Sequence, residues 1–220
     1  MPSKAWNAFN ENAEDVRRLL EIHSSLGGAA RGRRYRLEVL NKSALVLITA
    51  IWEAYCEDIA AEALAHIVSN VRRGSQLPTE LKKKMASELK AAKNDIAVWG
   101  LADSGWKNLV QARLAELTAD RNRKLNTPKS ASIDDLFAIA IGLQSVSSGW
   151  RWKGMSAERA RKKLDGYVAL RGAVAHRGKS GASCKKAQVE DYFRHVRRIA
   201  SRTGGRVNGF VQGITGKRLW

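Results

Sequence analysis

Apolar residues recur along this chain at spacings of three and four and almost never alternate with polar ones. Trp6, Phe9, Ala13, Val16, Leu19, Leu20 and His23 fall on one such stripe and predict an amphipathic first helix, which the glycines of Leu26–Gly32 bring to an end. A second helical region is predicted over about Arg33–Val71. Its middle, Ala44–Tyr55, is apolar nearly all round and belongs at the centre of a core. Pro78 fits the first position of a third helix running to about Val98, with Lys82, Lys83 and Lys84 on a solvated face. Gly100–Gly105 separates it from a fourth helix, Trp106–Asp120. The polar run Arg121–Ala131, with Pro128 inside it, reads as a loop.

Ser132, with Asp135 three positions on, is expected to cap a short helix ending at Ile141. Gly142–Met155 reads as a second loop that holds Trp150, Arg151 and Trp152. Ser156 caps the next helix, through about His176, which Arg177 and Gly178 close. The last predicted helix covers about Ala187–Thr203, and residues 204–220 form a Gly-rich basic extension with room for one more short helix. No alternating stretch exceeds four residues, and no repeat is present. The pattern predicts an all-α fold, a bundle of about six to seven helices in one domain over 1–220, with residues 1–32 supplying the N-terminal helix.

Charge narrows the function. Lys and Arg number 39 against 21 Asp and Glu, a formal +18 with a pI near 10.4. The excess is local: Arg151–Trp220 holds 18 Lys and Arg but 4 Asp and Glu, a net +14. Such a field favours a polyanionic partner such as RNA. A hydrophobic content of 44% excludes a disordered basic tail as the whole chain. The longest apolar stretch, Ala44–Trp52, is about half the ~20 residues a membrane helix needs, and Met1–Arg36 lacks an apolar leader core. The expectation is a cytoplasmic protein with no membrane partner. Cys56 and Cys184 stand far apart, so neither a disulfide framework nor a zinc cluster is expected. No Gly-rich phosphate loop and no nucleophile elbow occurs, so no cofactor and no metal is expected.

Four histidines remain as possible acids or bases: His23, His66, His176 and His195. His176 has the most informative surroundings, Leu170-Arg171-Gly172-Ala173-Val174-Ala175-His176-Arg177-Gly178. Arg171 and His176 stand five positions apart, about 140° around a helix, yet a guanidinium is long enough to reach an anion held near the imidazole. That pair suits RNA cleavage by the neighbouring 2′-hydroxyl: the imidazole moves the proton and the guanidinium holds the phosphorane charge. Spacing alone does not decide, because Arg18 and His23 repeat it. Context does. Only the second pair closes an apolar helix among small residues in the most basic part of the chain.

Here the sequence resembles the HEPN superfamily of small helical proteins, whose pattern is Arg-x4–6-His late in a helix, and within it the RiboL-PSP-HEPN group. Leu45–Leu64, Asn126–Leu143, Trp150-Arg151-Trp152 and Leu164–Gly178 carry the resemblance. It implies a HEPN-like bundle and a metal-independent endoribonuclease, often a toxin or anti-phage effector. It also implies a homodimer that brings one Arg–His pair from each chain to a shared site. Arg171 and His176 match the pattern, whereas Gly172 stands where relatives commonly carry a polar residue. Glu53, which interrupts the most apolar stretch, takes a place where the family often has an acidic or polar residue, and so is a supporting site residue. Its plainer reading is the start of a solvent face running through Glu57, Asp58 and Glu62.

Arg177, Lys179, Lys185, Lys186, Arg194, Arg197 and Arg198 put seven like charges within 22 positions beside the candidate pair and are the expected RNA-binding set. His195 reads as part of that basic face, His23 and His66 as core-edge or surface residues. Trp6, Trp52, Trp99 and Trp106 read as packing residues. Trp150 and Trp152 could stack on a base, though packing under their loop is the simpler reading. Two other functions stay open: a non-catalytic RNA-binding protein, and a partner-binding protein of a toxin–antitoxin or defence system whose basic surface receives an acidic antitoxin or regulator.

Overall fold

The computed structural model describes residues 2–27, 37–91, 95–119, 127–177 and 183–220. Among them seven α-helices follow one another: α1 (Lys4–Gly27), α2 (Glu38–Asn70), α3 (Thr79–Ala91), α4 (Gly105–Ala119), α5 (Ser130–Ile141), α6 (Ala157–Arg177) and α7 (Lys186–Thr215). Short 3-10 segments lie at Gly74–Gln76, Asp95–Leu101 and Val146–Gly149, and one isolated bridge pairs Trp152 with Met155. The fold is all-α.

The apolar stretch makes α2 the axis of the bundle. At 33 residues it is about 50 Å long. Leu45, Ile48, Trp52, Cys56, Ile59, Ala63, Leu64 and Ile67 are buried along it. α1 and α7 flank it most extensively, and α4, α5 and α6 also pack on it. Trp52 stacks on Tyr55 (centroids 6.2 Å apart) and meets Trp150 edge-on at 5.7 Å, while Phe9 of α1 meets Tyr55 at 5.4 Å. Each polar tip in this cluster has a partner. Trp52 Nε1 donates to the Pro128 carbonyl (3.2 Å), Tyr55 Oη to the Ala200 carbonyl (2.9 Å) and Trp150 Nε1 to Thr203 Oγ1 (2.8 Å).

Carboxylates from other helices close two helix starts. Glu62 of α2 accepts from the backbone N–H groups of Lys4 and Ala5 (3.2 and 3.1 Å), and Asp165 of α6 accepts from the N–H and hydroxyl of Ser130 (2.7 and 2.8 Å). A negative group there satisfies orphaned donors and meets the positive end of the helix dipole. Asp134 of α5 in turn accepts from Ser147 N–H and Oγ–H (2.7 and 2.6 Å), which fastens the 142–155 segment to the bundle.

Several sequence expectations change. α5 begins at Ser130 rather than at a Ser132 cap, because Asp165 supplies the acceptor from another helix. Pro78 stands one residue before α3, its carbonyl accepting from Lys82 N–H at 3.0 Å. α3 is described over Thr79–Ala91 and Asp95–Leu101 is a 3-10 segment, so the α-helix does not run on to Val98. Only Leu81 and Met85 are buried on it, so no apolar stripe sustains a longer helix. Trp99 falls in the 3-10 segment beyond and is 77% exposed instead of packed. The Gly-rich extension expected from 204 is helical up to Thr215, so α7 has 30 residues. Thr203, Gly204, Val207 and Val211 are buried, and that packing outweighs the poor helix propensity of glycine. Gly216, at φ +72°, ends the helix. Ser156 does cap α6, accepting from Arg159 N–H at 3.2 Å. The expected helix start at Arg33 and the basic loop segment 121–126 lie outside the described residues.

Candidate functional site

Arg171 and His176 both stand on helical backbone at the end of α6, about 7.5 Å apart along its axis. The side chains of His176 and Arg177 and all of Lys179 lie outside the described residues. Arg171 is half-buried, and its charge acts on α2 through Glu53 and on α7 through Tyr192. Burial, reinforced by the charge of Glu57, pushes the Glu53 carboxyl up to about 7, and Arg171 offsets only part of that rise. Burial likewise raises the Tyr192 hydroxyl, against the opposing pull of its Thr49 hydrogen bond and of Arg171. No ion pair joins Arg171 to Glu53 among the described residues, and the buried Arg171 Nε has no hydrogen-bond partner. A guanidinium only donates, so this arrangement leaves a donor without an acceptor beside a carboxyl poised to titrate near neutrality.

A polar scaffold that the sequence reading missed lies beside it. Tyr192 Oη lies 3.1 Å from Thr49 Oγ1, which itself donates to the Leu45 carbonyl at 3.0 Å. Tyr167 stacks on Tyr192 with centroids 4.5 Å apart and donates to Asp191 Oδ2 at 2.6 Å. Lys163 Nζ reaches the same carboxylate at 2.7 Å. Burial alone would raise Asp191, but the hydrogen bonds from Lys163 and Tyr167 and the charges of Lys163 and Arg194 hold it below the ordinary carboxylate range. Two signals pointed here: Thr49 is the one polar residue within Ala44–Trp52, and Lys163, Tyr167 and Arg171 recur at i, i+4 and i+8 on one face of α6. Beside Arg171, a Cβ on Gly172 would meet nothing within 4 Å, so the missing side chain leaves open space rather than relieving a clash.

His195 is turned inward, not outward onto the basic face. It is 3% exposed, its Nε2 lies 3.0 Å from the Ala160 carbonyl, and burial pushes it down to about 4. That histidine is structural. His66 is half-buried and lowered by burial, and His23 is partly exposed. Trp150 is fully buried and offers no face to a base. Trp152 is half-buried against the His195 ring, with Arg198 over it at 5.7 Å.

The described members of the basic set divide. Arg194 and Arg198 are exposed on the outer face of α7, and Arg194 lies 3.8 Å from Asp191. Arg197 is half-buried over the Phe193 ring at 5.8 Å. Lys185 is exposed just before the helix, and Lys186 bonds Ser24 Oγ of α1 at 2.6 Å with Glu190 at 3.6 Å. Among the described residues no group of three or more His, Cys, Asp or Glu side chains is placed to hold a metal ion, and no helix is long and apolar enough to cross a membrane. Cys56 and Cys184 are free and buried.

No curated protein and no solved structure matches this chain. The RiboL-PSP-HEPN family model matches it over residues 10–206, nearly the whole bundle, and so the chain belongs to that family of the HEPN superfamily.

Proposed function

We propose that the protein is a metal-independent endoribonuclease that cleaves RNA through the substrate's own 2′-hydroxyl. HEPN domains are often ribonucleases. The observation that carries the reading is Arg171, half-buried on the helix that also bears His176, with an unpartnered Nε and with the Glu53 carboxyl of α2, raised to about 7, beside it. His176 takes the proton from the 2′-hydroxyl as its oxygen attacks phosphorus, and Arg171 stabilises the extra charge of the phosphorane. The 5′-oxygen leaves with a proton supplied by the second acid of the site, which leaves a 2′,3′-cyclic phosphate and a 5′-hydroxyl. In a homodimer that acid is His176 of the second copy. Glu53 is a positioning residue that acts on the guanidinium through its charge, from α2 across to α6.

Support for the dimer comes from the bundle end where α6 closes and α7 begins. The contacts Lys186–Ser24 and Asn41–Cys184 bring the end of α1 and the start of α2 there, and Leu26 and Val39 are 67% and 62% exposed at that end. Arg194, Arg197 and Arg198, with Lys185, Lys186, Arg177 and Lys179, hold the RNA backbone. The biological setting that fits is a toxin or anti-phage effector, with an acidic antitoxin as its restraint.

The test is cleavage of labelled structured RNA in excess EDTA by the parent, His176→Ala and Arg171→Ala. Cyclic-phosphate products from the parent, with rates reduced about a hundredfold or more in either variant, are the expected result. A folded parent that binds RNA without cutting it overturns the enzyme and leaves an RNA-binding protein. Full cleavage by His176→Ala means that the chemistry lies elsewhere.

A further inference from the structure

Two clefts open side by side far along α7 from Arg171. One, of about 340 Å³, is lined by Arg151, Arg202 and Arg206 with Gly149, Ser201 and Gly205. The other, of about 240 Å³, has Trp6, Tyr55 and Trp220 among its walls and shares Ser201 and Gly205 with the first.

The first cleft is built for an anion. Arg194, Arg198, Arg202 and Arg206 stand at every fourth position of α7, a row in which like charges repel. Asp191 sits near the first of them, but Arg151, Arg202 and Arg206 make no ion pair among the described residues. Arg206 Nε is buried without a hydrogen-bond partner. Its side chain lies against the 3-10 segment at Gly149, where a Cβ would stand 2.9 Å from Arg206 Cδ; glycine makes the room. Three donor forks around one opening, with no carboxylate between them, match the oxygens of a phosphate.

The second cleft presents flat apolar rings. Trp6 is held by stacking on Phe9 at 5.4 Å and by Tyr55 edge-on at 6.1 Å. The Trp220 ring comes within 3.5 Å of where a Gly204 Cβ would be. Tyr55 Oη is already committed to the Ala200 carbonyl, so it adds a wall rather than a second polar demand. Aromatic walls of this kind take a nucleobase by stacking.

We propose that the two clefts form one site for a nucleoside phosphate, with the base against Trp6 and Trp220, the sugar over Ser201 and Gly205, and the phosphate among Arg151, Arg202 and Arg206. On α7, Arg206 lies 14 residues beyond Tyr192, about 21 Å along the axis, so this site is separate from the Arg171–His176 end of the same chain. It stands whether or not that end cuts RNA. The ligand is either a free nucleotide or one nucleotide of an RNA strand.

Calorimetric titration of the full chain separates these sources, in a His176→Ala background so that no strand is consumed. The probes are AMP, adenosine, inorganic phosphate and a five-nucleotide oligoadenylate. AMP is expected to bind roughly tenfold or more tighter than adenosine or phosphate, with a similar loss in the Arg202→Gln/Arg206→Gln double variant while adenosine binding is unchanged. Gly205→Leu, whose Cβ enters open space and whose side chain projects at the junction of the two clefts, is expected to weaken AMP and adenosine binding about tenfold or more. Tighter binding of the oligomer than of AMP that the Arg202→Gln/Arg206→Gln variant loses assigns the site to a strand; oligomer binding that the variant keeps, or that is no tighter than AMP, assigns it to a free nucleotide. Failure of both AMP and oligomer to bind overturns the site, as does undiminished AMP binding by the double variant. The cleavage assay reads Arg171 and His176 alone, so either result stands without the other.

Discussion

The two ends of α7 treat arginine and lysine in opposite ways. Near its start, Asp191 gathers Lys163, Tyr167 and Arg194, Glu190 faces Lys186, and Arg171 shares its surroundings with Glu53. Farther along, Arg151, Arg202 and Arg206 crowd one opening with no carboxylate among its lining residues. Cations fixed by internal acids give a rigid frame at a cost in free charge, which suits the positioning of one reactive phosphate. Cations left to water keep their whole attraction for a ligand, and their mutual repulsion falls when an anion arrives. A uniform reading of the +14 segment as one RNA-binding face misses that division.

The comparison breaks most visibly at Asp191. Asp191→Ala is expected to cost about 1–3 kcal/mol in urea denaturation, because Tyr167 and Lys163 lose their acceptor together. An unchanged midpoint would mean that water replaces the carboxylate and that the frame is not rigid. Glu53 gives the next effect. Its folded carboxyl titrates near 7 against an ordinary 4.5, so the folded state binds the extra proton and stability falls as pH rises through that window. Glu53→Gln flattens this dependence and is the more stable form above pH 7; equal slopes for parent and variant between pH 5 and 8 would refute it.

Adjacent glycines sharpen the contrast further. Gly205→Ala is expected to stabilise α7 by up to about 1 kcal/mol, since its Cβ meets nothing within 4 Å. Gly204→Ala has the opposite sign, because its Cβ would lie 2.7 Å from the hydrogen-bonded Tyr55 Oη. Thermal melts that moved both variants in one direction would contradict that packing. The smallest effect is Arg202→Gln, an exposed residue without a carboxylate partner, which shifts stability by less than about 0.5 kcal/mol.

Much of the bundle was legible in the sequence, because α1 carries an apolar stripe, the middle of α2 is apolar nearly all round and Ser156 caps α6 locally. The start of α5 was not, since its acceptor, Asp165, is 35 residues away. The length of α7 was hidden by Gly204, Gly205, Gly209 and Gly213, whose propensity argues for a break that burial overrides. At the candidate site, Arg171 and Glu53 were visible as a cation and an acid in unusual company, and the structure brings their charges together. Tyr167, Tyr192 and Asp191 looked ordinary because their meaning lies in contacts between helices. Arg202 and Arg206 extend the spacing of Arg194 and Arg198, members of the expected basic set, but that spacing becomes a row only if the helix runs on beneath it.

The carboxylate caps also bear on how the chain folds. Glu62 lies 57 and 58 residues from the α1 start, where it adds to the local cap that Ser3 Oγ makes with Trp6 N–H (3.0 Å), and Asp165 lies 35 from the α5 start, so both starts draw an acceptor from a distant helix. The full set of cap bonds at each start forms only once a distant helix has docked, which couples the ends of the bundle to its assembly. A cut between α5 and α6 would put the α5 start and the carboxylate that caps it on different fragments. A nick there makes the α5 cap depend on the two pieces staying docked.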